Sequence, residues 1–136
     1  MPYVVAYLAA GAVFAITDGL WLSLAGPKLY RPILGEILAE KVSIAPALIF
    51  YLLYVFGIVA LAVAPALRNA SWTQAGVSGL LLGLIAYGTY DLTNQATLKA
   101  WSTGLSLADM TYGTLATGLA ALAAFHAAQL AVRVFG

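Results

Sequence analysis

The sequence of 136 residues contains no cysteine, which removes disulfides, thiolate metal sites and cysteine nucleophiles from consideration. Its single histidine, His126, allows no His-x-x-x-His pair, so a histidine metal site is not expected and a neutral, packed imidazole is. Charge is scarce: 8% of residues carry it, against about a quarter in an ordinary soluble domain. A net charge of +1 does not imply nucleic acid as a partner. There is no Gly-rich phosphate loop and no Ser/His/Asp order that survives placement on helices, so no cofactor is expected. Strand-like alternation is also missing, which argues against a β-barrel.

What the chain does contain is apolar length, with 63% of its residues hydrophobic. A bilayer core about 30 Å thick needs roughly 20 apolar residues of helix. Four stretches qualify, at about 2–25, 43–67, 72–98 and 107–133. They predict an all-α fold: one four-transmembrane-helix bundle over residues 1–136. Met1-Pro2-Tyr3 opens the chain without the basic stretch of a signal peptide, so the first run reads as a span. Ser71 to Gln74 and Ser106 to Asp109 each fit a capping box ahead of a helix. Between helices 1 and 2, Pro32 suits the start of a short helix, with Ile33, Leu34, Ile37 and Leu38 on one face and Glu36 and Glu40 on the other. That is a short amphipathic interfacial segment, or else a solvated connector. Loops one and three hold Lys28, Arg31, Lys41 and Lys99, while the other side holds Arg68 and Arg133. The positive-inside bias places loops one and three in the cytoplasm and both termini outside.

The polar residues inside the spans are not scattered. At about 1.5 Å per residue, Asp18 lies roughly 24 Å along the first span and Asp91 roughly 30 Å along the third. These spans run in the same direction, and Asp109 begins the fourth from the same side, so all three acids gather at one end. Tyr87, Asp91 and Asn94 share a helical face, as do Phe14, Asp18 and Trp21. Tyr51, Tyr54 and Tyr112 fall at the same end. Ionisable groups within a membrane face the bundle interior or a wet cavity, and they default to a functional reading. The pattern predicts a polar, aromatic-lined cup open toward loops one and three. Two acids sharing it are expected to share a proton, unless Lys28, Arg31 or Lys99 reaches in. Plainer readings stand beside this one. Asp109 fits a helix cap, Asp18 would be a surface residue if the first span ended early, Asp91 could snorkel at the boundary, and the tyrosines, Trp21 and Trp101 fit an interfacial belt. Gly79-x-x-x-Gly83 and the Ala116, Ala120, Ala124, Ala128 stripe allow close helix approach, within one subunit or in a homo-oligomer.

"TDGLWLSLAGPKLYRPILGE", "APALIFYLLY" and "YGTYDLTNQATLKAW" together resemble a family of small bacterial membrane proteins designated DUF2177, a domain of unknown function. Asp18-x-x-Trp21, Tyr30-Arg31, Pro46-Ala47, Tyr90-Asp91-Leu92-Thr93-Asn94 and Asp109-x-x-Tyr112-Gly113 carry the likeness across nearly the whole chain. The resemblance implies a four-span protein of the bacterial inner membrane and implies no activity. From the residues themselves, Asp18, Trp21, Tyr51, Tyr54, Tyr87, Asp91, Asn94, Asp109 and Tyr112 are the expected lining of a site for a small amphipathic or lipid-derived molecule. A proton-coupled small-molecule transporter and an assembly subunit of a membrane complex are the alternatives.

Overall fold

The structure is a computed structural model that describes residues 1–136, and every regular element in it is helical. Four helices are long and apolar enough to cross a membrane. We number them α1 (Pro2–Leu34), α2 (Ile44–Arg68), α3 (Trp72–Thr97) and α4 (Thr103–Phe135).

α1 runs further than its sequence suggests. Gly26-Pro27 reads as a break, yet the chain continues through a π-helical turn at Gly26–Tyr30 into Arg31–Leu34. Pro27 has no N–H to give, and the wider turn, closed by Arg31 N–H on the Gly26 carbonyl, accommodates that loss. The short helical piece at Arg31–Leu34 is therefore the last turn of α1, not a new helix begun at Pro32. Leu34 is buried, whereas Ile37 and Leu38, past the end of the helix, are exposed. A second π turn, Ile58–Val63, precedes Pro65 in α2, again where a proline interrupts the ladder.

At the start of α3 the Ser71 hydroxyl accepts the Gln74 N–H at 3.1 Å, as the capping pattern predicts. The Gln74 side chain instead accepts from Asn69. α4 begins earlier than expected: Ser102 is the cap, accepting the Leu105 N–H at 3.0 Å. Ser106 lies inside the helix and is buried. Asp109 is consequently not a capping carboxylate. It sits nearly two turns into α4, roughly 9 Å beyond the helix start.

α4 is the centre of the bundle. α1 and α3 both pack along it and scarcely touch each other, and the π-helical part of α2 closes against α3 and α4. The shared core is built mainly from small side chains such as Ala6, Ala10, Ala62, Ala120, Ala124 and Ala128, with Phe14 and Phe125 as its largest fully buried members. Leucines and isoleucines such as Leu8, Ile16, Leu53 and Leu81 point outward, where lipid tails would cover them. Lipid solvates such residues as well as a core does, so close backbone approach holds these helices together. Gly79 and Gly83 serve that purpose within the subunit. A Cβ on Gly79 would stand 2.7 Å from that of Ala121, and one on Gly83 would stand 2.5 Å from the Gly113 carbonyl oxygen. His126 departs from expectation, lying on an exposed flank of α4 with its ring edge-on to Phe125 at 5.3 Å.

Gly83→Ala should therefore push α3 off α4 and destabilise the bundle by about 1–3 kcal/mol. Gly19 faces open space, and Gly19→Ala should be neutral or stabilising by roughly 0.5–1 kcal/mol. Reversible unfolding in detergent micelles checks both, and equal responses would show that the α3–α4 approach is not a limiting contact.

Candidate functional site

The polar groups of α1, α2 and α4 meet through tyrosine hydroxyls. Asp18, half-buried on α1, accepts from Tyr51 on α2 through one carboxylate oxygen and from Tyr112 on α4 through the other, at 2.9 Å. Two helices are thereby tied to the carboxylate of a third. A hydrogen bond to a charged acceptor contributes about 1.5–3 kcal/mol, roughly twice a neutral one.

A second chain of bonds lies alongside. The Trp21 indole N–H donates to the Tyr30 hydroxyl at 2.9 Å, and that hydroxyl donates to Asp109. Trp21 and Tyr30 are nine residues apart, which on a regular α-helix puts side chains roughly 180° apart. The π turn at Gly26–Tyr30 absorbs the difference and brings Tyr30 round toward Trp21 and α4. The break that hid Tyr30 in the sequence is thus the device that delivers it.

Aromatic rings fill the space between these bonds. Trp21 stacks on Tyr112 with centroids 4.8 Å apart and planes at 12°. Tyr112 meets Tyr87 edge to face at 5.8 Å, and Tyr87 meets Tyr54 at 6.3 Å. Tyr54 is buried, its hydroxyl 2.8 Å from that of Thr117, and it leans on Phe14. The Tyr87 ring occupies the space over Gly113, where a Cβ would stand 2.1 Å from it, so only glycine fits beneath it.

Asp91 is different in kind. It is completely buried, and neither carboxyl oxygen has a hydrogen-bond donor. Its backbone carbonyl accepts from the Ser106 hydroxyl at 3.3 Å, and Ser106 in turn accepts from the Trp101 indole. The Asp91 carboxyl lies beside that of Asp109, which is 4% exposed. Two neighbouring buried acids with no base between them repel when both are charged, and burial leaves that repulsion poorly screened. Asn94 lies one turn further along and contributes its carbonyl to Leu98, with no side-chain bond to the network.

Two expectations change in form. Asp18 and Asp91 do not face a common hollow directly: α4 stands between their helices, and Asp109 and Tyr112, three residues apart on α4, link the two sides. The partners of the carboxylates are tyrosines rather than Lys28, Arg31 or Lys99. Sequence reasoning passed over Phe14, Tyr30, Ser106 and Thr117 as members of the site. Thr117 was findable, because it lies one and two helical turns beyond Gly113 and Asp109 on the same face of α4.

The outer edge of the Trp21–Tyr112 pair opens on a groove of about 730 Å³ between α1 and α4. Leu20, Leu24, Leu107, Leu115 and Leu119 form most of its walls.

The isosteric variants Asp18→Asn and Asp91→Asn should move stability in opposite directions. Asp18→Asn puts an amide N–H₂ against a tyrosine donor and should cost about 1.5–3 kcal/mol. Asp91→Asn supplies a donor to Asp109 and removes an unsatisfied acid, so it should stabilise by about 1 kcal/mol or more. Chemical denaturation in a fixed detergent measures both, and two losses of equal size would contradict this geometry.

Comparison with known proteins agrees with the fold and adds no chemistry. No curated protein and no solved structure matches the chain. The family model described as "Predicted membrane protein (DUF2177)" matches residues 3–126, which is most of the sequence. With four membrane-length helices and that match, the chain belongs to the DUF2177 family of predicted membrane proteins.

Proposed function

We propose that the protein binds a small amphipathic or lipid-derived molecule in the groove between α1 and α4, with the carboxylate network behind its Tyr112 wall. One observation carries this reading: an apolar groove between α1 and α4 has the Trp21–Tyr112 stack midway along its lining, and the hydroxyl of that tyrosine is bonded to Asp18. A volume near 730 Å³ falls within the range of small-molecule sites, about 300–1,000 Å³. The walls suit a hydrocarbon tail, and Trp21, Tyr112 and the two threonines Thr17 and Thr111 supply a polar margin. Asp18 and Asp109 are acceptors with no basic side chain bonded to them. The head that fits is a hydrogen-bond donor or a cation, with an alkylammonium as the simplest case.

Proton-coupled transport is the second reading, favoured by Asp91. A buried acid with no donor, next to another acid, is suited to take up and release a proton as a ligand comes and goes. An assembly subunit would gain nothing from such a group, because apolar packing serves structure at least as well. The lysine and arginine distribution supports an inner-membrane topology with loops one and three cytoplasmic and both termini outside.

A Trp72→Phe, Trp101→Phe protein in nanodiscs leaves Trp21 as the only tryptophan. A long-chain alkylamine brominated near its head should quench it saturably, and the matching brominated alcohol should bind about tenfold more weakly, a difference of about 1.4 kcal/mol. Asp18→Asn in that background should abolish the preference. Quenching that rises linearly with bilayer content, alike for both heads, would end this reading.

A further inference from the structure

The opposite end of the bundle holds a second cleft, of about 400 Å³, where α1 begins and α2 and α4 end. Its lining includes Tyr3, Leu67, Arg68, Gln129, Val132 and Arg133. Arg68 lies in the last turn of α2 and Arg133 in the last turn of α4, so two helices that are not consecutive in the chain each place an arginine in the lining of the same hollow.

No acid lines this cleft. The five acidic residues are Asp18, Glu36, Glu40, Asp91 and Asp109, which lie on loop one or in the network at the other end. The two arginines therefore line one cleft without a carboxylate in the same lining to balance them. Helix C-termini offset part of that charge, by about half a unit each, while the start of α1 adds about half a unit of the other sign. The balance stays positive. Trp72 and Tyr3, both exposed, mark this level of the molecule as the height of the lipid headgroups.

The geometry points to a site for an anionic phosphate group, held between the Arg68 and Arg133 guanidiniums at the membrane surface. Guanidinium is a planar fork that matches two phosphate oxygens at once, and it keeps its charge in any pH range the membrane meets. The Gln129 amide and Tyr3 hydroxyl offer further donors in the same lining. Leu67 and Val132 supply apolar walls beside the guanidiniums, which suits a phosphodiester continuing into a lipid better than a free ion. This site is independent of the α1–α4 groove, being at the other end of the bundle and complementary to the opposite charge.

Purified protein in a neutral detergent, offered equal amounts of phosphatidylglycerol and phosphatidylcholine, tests it by native mass spectrometry. The expected result is one retained phosphatidylglycerol per chain, with occupancy falling about tenfold in the Arg68→Gln, Arg133→Gln double variant. Lys99→Gln, which removes a cation at the other end, should leave occupancy unchanged. A further arm adds inorganic phosphate in excess: displacement of the lipid identifies a site that reads phosphate alone, and failure to displace identifies the lipid as the ligand. Retention undiminished in the double variant would overturn the proposal. So would equal retention of phosphatidylcholine, or an equal loss in Lys99→Gln.

Discussion

Carboxylates in a medium without water must find donors within the protein, and this chain supplies them as phenols. Three helices converge on Asp18 through Tyr51 and Tyr112, and Tyr30 returns from the far end of α1 to reach Asp109 on α4. Each bond spans two elements, so the polar network is also the clamp that fixes α1 and α2 on α4 at this end. Neutral donors leave the carboxylates uncompensated by any base. The electrostatic character of the site follows from that choice: its acceptors are acids and their donors are neutral hydroxyls.

The two halves of the bundle solve packing by different means. Away from the acids, alanines and glycines bring backbones together, and little besides van der Waals contact is required. Among the acids, large rings occupy the space and their hydroxyls do the joining. Gly113 is where the two solutions meet, because the α4 backbone there must lie flat under the Tyr87 ring. Asp91 fits neither scheme. It is buried without a donor at a place where leucine or alanine would pack at no electrostatic cost.

Much of this was legible in the sequence. Four apolar runs of membrane length fix the helices, and the depth of Asp18, Asp91 and Asp109 follows from the rise per residue. The clustering of Trp21, Tyr51, Tyr54, Tyr87 and Tyr112 at that depth was legible for the same reason. What could not be read was the order of packing. Nothing in a one-dimensional pattern says that α4 stands between α1 and α3, so the acids of those helices seemed to face each other directly. Tyr30 and the true start of α4 were obscured by local rules that tertiary contacts override. Gly-Pro ordinarily ends a helix, but here it is absorbed in a π turn, and of two serines with capping potential the earlier one, Ser102, is used.

The linkage of α1 to α4 through the Tyr30–Asp109 bond is the most direct point at which to test this account. A double-mutant cycle with Tyr30→Phe and Asp109→Ala, read by reversible unfolding in micelles, isolates the pair from its surroundings. A coupling of at least about 1 kcal/mol is expected, in the range measured for bonded pairs, because Asp109 is the acceptor of the Tyr30 hydroxyl. Strictly additive losses would mean that the hydroxyl and the carboxylate do not meet, and the network as described here would not exist.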